Sequence, residues 1–160
     1  MTAASHRLTG GCQCGAVRFA CEGLTRPSIC HCRMCQKAFG APFGALVNAE
    51  TVVWTRGAPK HFQSSNKVRR GFCGECGTPL TYEDGGLVNL SICAFDDPAV
   101  VAPVIQLATE SRIPWCDGLS ALPVRSAAQE VASAAFVSDL VSFQHPDHDT
   151  TLWPPAGEGA

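Results

Sequence analysis

Three short stretches, "GGCQCG", "CHCRMC" and "FCGECG", constrain the fold of this chain more than any other feature. They hold seven of its ten cysteines: Cys12 and Cys14, then Cys30, Cys32 and Cys35, then Cys73 and Cys76. Cysteines two apart on extended backbone lie about 7 Å apart at Cα. That is too far for an easy disulfide, but two such thiolates reach one zinc ion at about 2.3 Å each. The start, "MTAASHRLTGG", holds no apolar leader, so a cytoplasmic location is expected. In a reducing compartment clustered cysteines read as metal ligands. A chain organised this way must bring distant segments to one ion.

The pairs and the triplet read differently. Cys73-x-x-Cys76-Gly77 has zinc-knuckle spacing, and the glycine permits a turn whose amides point at the sulfurs. Cys12 and Cys14 are flanked by glycines that bend the chain. Together these four thiolates make a closed tetrahedral site, which is structural. Cys30, Cys32 and Cys35 supply three ligands to a four-coordinate ion, and an open position marks a catalytic site. His31 is the rival for that position, but a strand-like residue between two ligands points to the opposite face. Three thiolates on Zn²⁺ leave a net negative centre, a poor generator of hydroxide but a suitable holder of a further thiolate. The expected fourth ligand is therefore a substrate thiol. A three-ligand site binds its ion more weakly, so partial occupancy is expected there.

The rest of the chain fits one small β domain. Its 160 residues are 46% hydrophobic and 16% charged, enough for a folded core. A net charge of -2 disfavours nucleic-acid or anionic-membrane partners. No apolar run reaches membrane-spanning length. Period-2 alternation and turn residues predict strands at 16–23, 42–48, 51–54, 60–63, 67–72, 78–82, 86–92 and 102–108. Such spacing suggests a sandwich or open barrel, with one helical turn after the triplet. "SAAQEVASAAFVSDLVSF" (126–143) predicts a helix, with Ser126 and Gln129 as a capping box and an apolar stripe of Ala132, Phe136, Leu140 and Phe143. The expected organisation is a zinc-binding β domain over 1–125, the helix over 126–143, and a polar, flexible tail over 144–160.

In order along the chain, "GGCQCGAVRF", "CHCRMCQKAFGAPFGALV", "GFCGECGTPLTY", "DDP" and "TESRIPW…DGLSALP" resemble the glutathione-dependent formaldehyde-activating enzyme / centromere protein V family. The resemblance implies an Mss4-like zinc-binding β fold. It implies a structural zinc on Cys12, Cys14, Cys73 and Cys76 and a catalytic zinc on Cys30, Cys32 and Cys35, two ions per chain. The implied activity is that of a carbon–sulfur lyase, adding glutathione to formaldehyde or a related small aldehyde, and the reverse. Gln106 and Leu107 stand where many relatives carry a His-Ile pair, and Cys93 precedes the "DDP" turn.

Glutathione carries two carboxylates, so Lys37, Arg33 and Arg112 are the candidate contacts for it. Trp115 and Phe39 read as core residues that would otherwise wall the pocket. Asp96 and Asp97 read as a turn or cap. Cys21, Cys93 and Cys116 read as small buried residues, and Cys93 and Cys116 are the candidates for a metal-free redox thiol. His61, His145 and His148 read as exposed polar residues. The alternative to an enzyme is a non-catalytic zinc scaffold binding a protein partner. It would be favoured by a triplet closed by His31 or a fourth chain thiolate, and by an exposed apolar helix face that could also pair two copies.

Overall fold

Alternating apolar residues make most of this chain extended, and in the computed structural model, which describes residues 7–154, the strands join one curled sheet. The elements are β1 (Leu8–Gly11), β2 (Arg18–Cys30), α1 (Arg33–Phe39), β3 (Gly44–Arg56), β4 (Lys60–Gln63), β5 (Arg69–Phe72), β6 (Pro79–Glu83), β7 (Val88–Ser91), β8 (Ile105–Leu107) and α2 (Ala127–Ser138). The order across the sheet is β1-β2-β3-β7-β6-β5-β4, and β8 pairs with β2. The β2–β8 pairing is parallel, and the others are antiparallel. The expected class, mainly β with a short C-terminal helix, is the observed one.

The strand predictions hold best where turn residues end a strand, as at Lys60–Gln63. They fail where the chain continues past such residues. The strand predicted over 16–23 ends at Gly23, yet β2 runs through Gly23 and Pro27 for 13 residues. It does so by bending: Gly23 (φ +67) and Arg26 (φ +52) adopt left-handed backbone, and the register against β3 slips between Thr25 and Ser28. Similarly, 42–48 and 51–54 form one strand, β3. The short β1 has no clear alternation and escapes prediction. β2 pairs with β1 along Arg18–Cys21 and with β8 along Ser28–Cys30, so a single strand spans both cysteine regions. Phe19, Val47, Leu80 and Leu90 are fully buried on the inner face, and Phe19 meets Trp54 and Phe95 edge-on.

The chain divides into two compact units: one over 7–112 with 144–154, the other over 113–143. In the second unit, α2 starts as expected, with Ser126 and Gln129 in a capping box, but ends at Ser138, five residues before Phe143. No residue of α2 is buried. Trp115, expected in a core, is exposed. Among the described residues no helix is long and apolar enough to cross a membrane.

The expectation of an exposed His145 is corrected. His145 is 3% exposed. Its amide donates to the Gln13 carbonyl at 2.8 Å, and the Trp153 indole donates to the Cys14 carbonyl at 2.8 Å. Arg18 forks onto Asp96 at 2.6 and 2.7 Å and also reaches Asp149 at 2.7 Å. Arg56 donates to the Thr150 carbonyl at 2.6 Å. Asp96 is therefore an ion-pair partner, while Asp97 is the expected cap, accepting from the Ala99 amide. These partners lie 78 or more residues apart in sequence, which is why local reading misses them. His145 Nδ1 faces the Pro146 carbonyl at 2.7 Å, so it carries the ring proton, and Nε2 is left to accept. Burial, and then the charges of Arg18 and Arg56, hold its pKa below the usual value.

Arg18→Leu should leave the partly buried Asp96 without its counter-charge and lower stability by about 3 kcal/mol in urea unfolding. Asp149→Asn, at a half-exposed carboxylate, should stay within about 1 kcal/mol. The pH dependence has a definite sign. Burial alone would raise the Asp96 pKa, but the hydrogen bonds from Arg18 and Thr9 outweigh it and lower it, so its contribution is lost as pH falls through the folded value. His145 binds its proton more readily when unfolded, so stability also falls as pH drops below 6.5. The urea midpoint should decline from about pH 7 to about pH 5, and decline less in His145→Gln.

Candidate metal centres

Two cysteine groups form, and either could hold a metal ion: Cys12, Cys14, Cys73 and Cys76, and separately Cys30, Cys32 and Cys35. Within each group the sulfurs all lie within 4.8 Å of one another. All ten cysteines are free thiols. Close pairs such as Cys12–Cys14 at 3.6 Å and Cys14–Cys73 at 3.8 Å are far beyond a disulfide bond of about 2.05 Å.

The four-cysteine group is built from two turns, as the neighbouring glycines predict, rather than from strand positions. In the first turn the Cys12 amide donates to the Val17 carbonyl and the Gly15 amide to the Cys12 carbonyl. In the second, Cys73 and Thr78 pair likewise, and the Gly77 amide donates to the Cys73 carbonyl. Gly15 (φ +76) and Gly77 (φ +78) supply the left-handed backbone that both turns need. The turns aim amides at sulfur: Val17 N–H at Cys12 Sγ, 3.2 Å, and Glu75 N–H at Cys73 Sγ, 3.4 Å. Thr78 links the two turns. Its Oγ1 accepts from the Gln13 amide at 3.0 Å, which leaves its own proton for Cys76 Sγ, 3.1 Å away. Burial disfavours the Cys76 thiolate, yet the hydrogen bonds from Thr78 and Cys14 bring its pKa down to about 6. Cys12 is pushed up to about 12 by burial. Burial favours the thiol form at Cys12 and Cys14, and a divalent cation bound among the four sulfurs would favour the thiolate form instead.

The three-cysteine group sits where β2 ends and α1 begins. Cys30 is the last residue of β2, Cys32 is the N-cap of α1, and Cys35 lies in its first turn. The Cys35 amide donates to Cys32 Sγ at 3.4 Å, which ties two ligands together through a helix cap. α1 runs for two turns where a single turn is expected. His31 stays out of the group, as its position between the ligands predicts. It is 2% exposed, its Nε2 lies 3.0 Å from Gln106 Oε1, and its ring meets Phe43 edge-on. Gln106 therefore occupies His31. The Gln36 amide, buried beneath, donates to the carbonyls of His31 and Ser111.

A cavity of about 340 Å³ opens on this triplet, lined by all three cysteines with Met34, Leu46 and Leu107 among its apolar walls and Arg26, Arg70, Tyr82 and Asp84 among its polar ones. The expected carboxylate contacts are not among its lining residues. Arg33 donates to Gln36 at 3.1 Å, and Arg33 and Lys37 line a cleft beside Phe62 that shares Met34 and Arg70 with the cavity. Arg112 ends the first of the two segments of its unit and lines neither cleft. The cations that do reach the cavity, Arg26 and Arg70, are absent from the sequence reading. A signal for Arg70 existed: Val68 and Arg70 alternate on one face of an extended segment, and both are buried. Nothing local marks Arg26. Phe39 is half-buried and lines a cleft with Phe72. Cys21 is buried as expected, whereas Cys93 is exposed and Cys116 partly so. His61 pairs with Glu83 at 2.9 Å.

Comparison with known proteins agrees with this geometry. The model of a family described as "Glutathione-dependent formaldehyde-activating enzyme" matches residues 7–111. Among solved structures, a crystal structure of a Rhodobacter sphaeroides protein from a structural genomics programme is similar in fold, with 21% identity and a TM-score of 0.50, covering 62% of this chain and 99% of that one. No curated protein matches the chain.

Metal analysis of the purified protein should give close to two ions per chain, one for each cysteine group. Cys35→Ser should bring this close to one, with the circular dichroism of the fold retained. Cys73→Ser should cost folding itself, because its sulfur joins turns nearly sixty residues apart.

Proposed function

The chain belongs to the glutathione-dependent formaldehyde-activating enzyme family, and from that premise we propose that it is a zinc-dependent carbon–sulfur lyase joining a thiol, glutathione in the first instance, to formaldehyde or a related small aldehyde. One observation carries the reading: the group with three cysteines is the one that lines a ligand-sized cavity, while the group with four supplies a complete tetrahedral set from the chain. Cys12, Cys14, Cys73 and Cys76 would hold a structural zinc, and Cys30, Cys32 and Cys35 a catalytic one. When bound at the triplet, zinc supplies the acidity that converts a thiol to thiolate at neutral pH.

The chain's own residues do the rest. Met34, Leu46 and Leu107 give the cavity apolar walls that limit water around the sulfur. Arg26 and Asp84 offer one charge of each sign to a zwitterionic thiol. The thiolate sulfur bonds to the aldehyde carbon, the carbonyl π pair moves to oxygen, and oxygen takes a proton from water. Thiol and aldehyde already react in solution, so holding them together supplies most of the rate.

Partner binding is the second reading. It is favoured by the exposed Phe136, Leu140 and Phe143 in 126–143 and disfavoured by the triplet, which neither His31 nor a fourth described cysteine completes.

Exchange NMR on protein, glutathione and formaldehyde discriminates the two. The enzyme reading expects hydroxymethyl exchange at least about tenfold faster than in buffer, abolished in Cys35→Ser. Exchange at the buffer rate with both metal sites filled would sink it.

A further inference from the structure

Arg70 is an unusual residue to find in a small core. It is 7% exposed, and among the described residues no carboxylate pairs with it. Its neighbour Glu83 is already engaged by Arg69 and His61. A buried guanidinium without a counter-charge is strongly disfavoured, so its anion must be something other than an acidic side chain.

The structure points to the thiolates. Arg70 Nη2 lies 3.5 Å from Cys35 Sγ. Nε is fixed by Ser64 Oγ at 3.1 Å, and the guanidinium lies over the Tyr82 ring, 5.1 Å from its centroid. Tyr82 is the direct cross-strand partner of Arg70 between β5 and β6, so the sheet register itself sets this stack. Nη1 is buried and has no acceptor. The fork is therefore held on two sides, with one nitrogen left unassigned, in a side chain that also lines the triplet's cavity.

We propose that Arg70 is a positioning residue that matches charge at the three-cysteine centre and tunes it to take an anionic sulfur ligand rather than a neutral one. The proposal rests on the thiol reading given above and adds its source of selectivity. Three thiolates and a divalent ion sum to one negative charge, and an incoming thiolate makes it two. In a partly buried site that second charge is costly unless a cation is fixed nearby. The Arg70 guanidinium supplies that cation, and its planar fork can contact a ligand sulfur while keeping Cys35. Arg26, exposed at the cavity wall, is screened by water and serves this role less well.

The test uses the full chain with cobalt(II) in place of zinc, whose sulfur-to-metal absorption reports each added ligand. Mercaptoethanol supplies a thiol without carboxylates, and imidazole supplies a neutral ligand. Arg70→Gln and Arg70→Met should weaken mercaptoethanol about tenfold or more and leave imidazole within about twofold. Arg70→Lys should restore much of the thiol affinity. The four-cysteine site should keep its cobalt in every variant, and two charge-removing variants guard against misfolding in one of them. Equal losses for both ligands would mean a merely structural role and would overturn the proposal, as would unchanged thiol affinity. A parent protein that shows no spectral response to mercaptoethanol would sink the thiol reading itself, and this inference with it.

Discussion

The convergence of two glycine-closed turns, one carrying Cys12 and Cys14 and the other Cys73 and Cys76, is the constraint on which the structure depends. β1 and β2 lead into and out of the first turn, and β5 and β6 flank the second. Bringing four sulfurs within 4.8 Å joins two hairpins that the sheet order alone would leave far apart, since β3 and β7 lie between them. The curl of the sheet follows. Thr78 completes the junction by accepting from one turn and donating to a sulfur of the other, and Trp153 of the C-terminal segment caps the Cys14 carbonyl.

With that end fixed, the length of β2 decides where chemistry can occur. The strand leaves the first turn at Arg18 and delivers Cys30 at its far end. Its bend at Arg26 and Pro27 coincides with the register slip against β3, and β8 then takes over as its parallel neighbour, with the Val104 amide donating to the Pro27 carbonyl at 2.9 Å. The triplet thus stands on regular secondary structure beside a cavity walled by β2, α1, β3, β5, β6, β7 and β8 and their connections. Such support keeps a reacting group in one geometry. Two buried cations divide the labour. Arg18 meets carboxylates and holds the C-terminal segment, while Arg70 meets only a hydroxyl, a ring and a sulfur.

Fold class and the division of the cysteines were legible because each is local. Cys-x-Cys-Gly and Cys-x-x-Cys-Gly spacings prescribe tight turns, and period-2 alternation prescribes strands. The exclusion of His31 was legible for the same reason. Strand continuity was less so: Gly23 and Pro27 are breakers by local rule, yet β3 pairs across them and carries the strand onward. Lys37, Arg33 and Arg112 are proposed for the site from nearness in sequence, and none of the three lines the cavity on the triplet. A helix disperses neighbours around its axis, and in α1 Arg33 and Lys37 line a cleft that adjoins the cavity of Cys35 through Met34 and Arg70.

By itself, then, the sequence determined that thiol ligands would gather in a group of four and a group of three on a β scaffold, since side-chain chemistry and spacing do not depend on long-range contacts. Only the tertiary structure decided which cations, apolar walls and C-terminal residues surround those groups. Arg70, Arg18, His145 and Trp153 acquire their partners across 35 to 139 residues of chain. Such pairings carry no local signature, because they exist only once the sheet has closed and set its register.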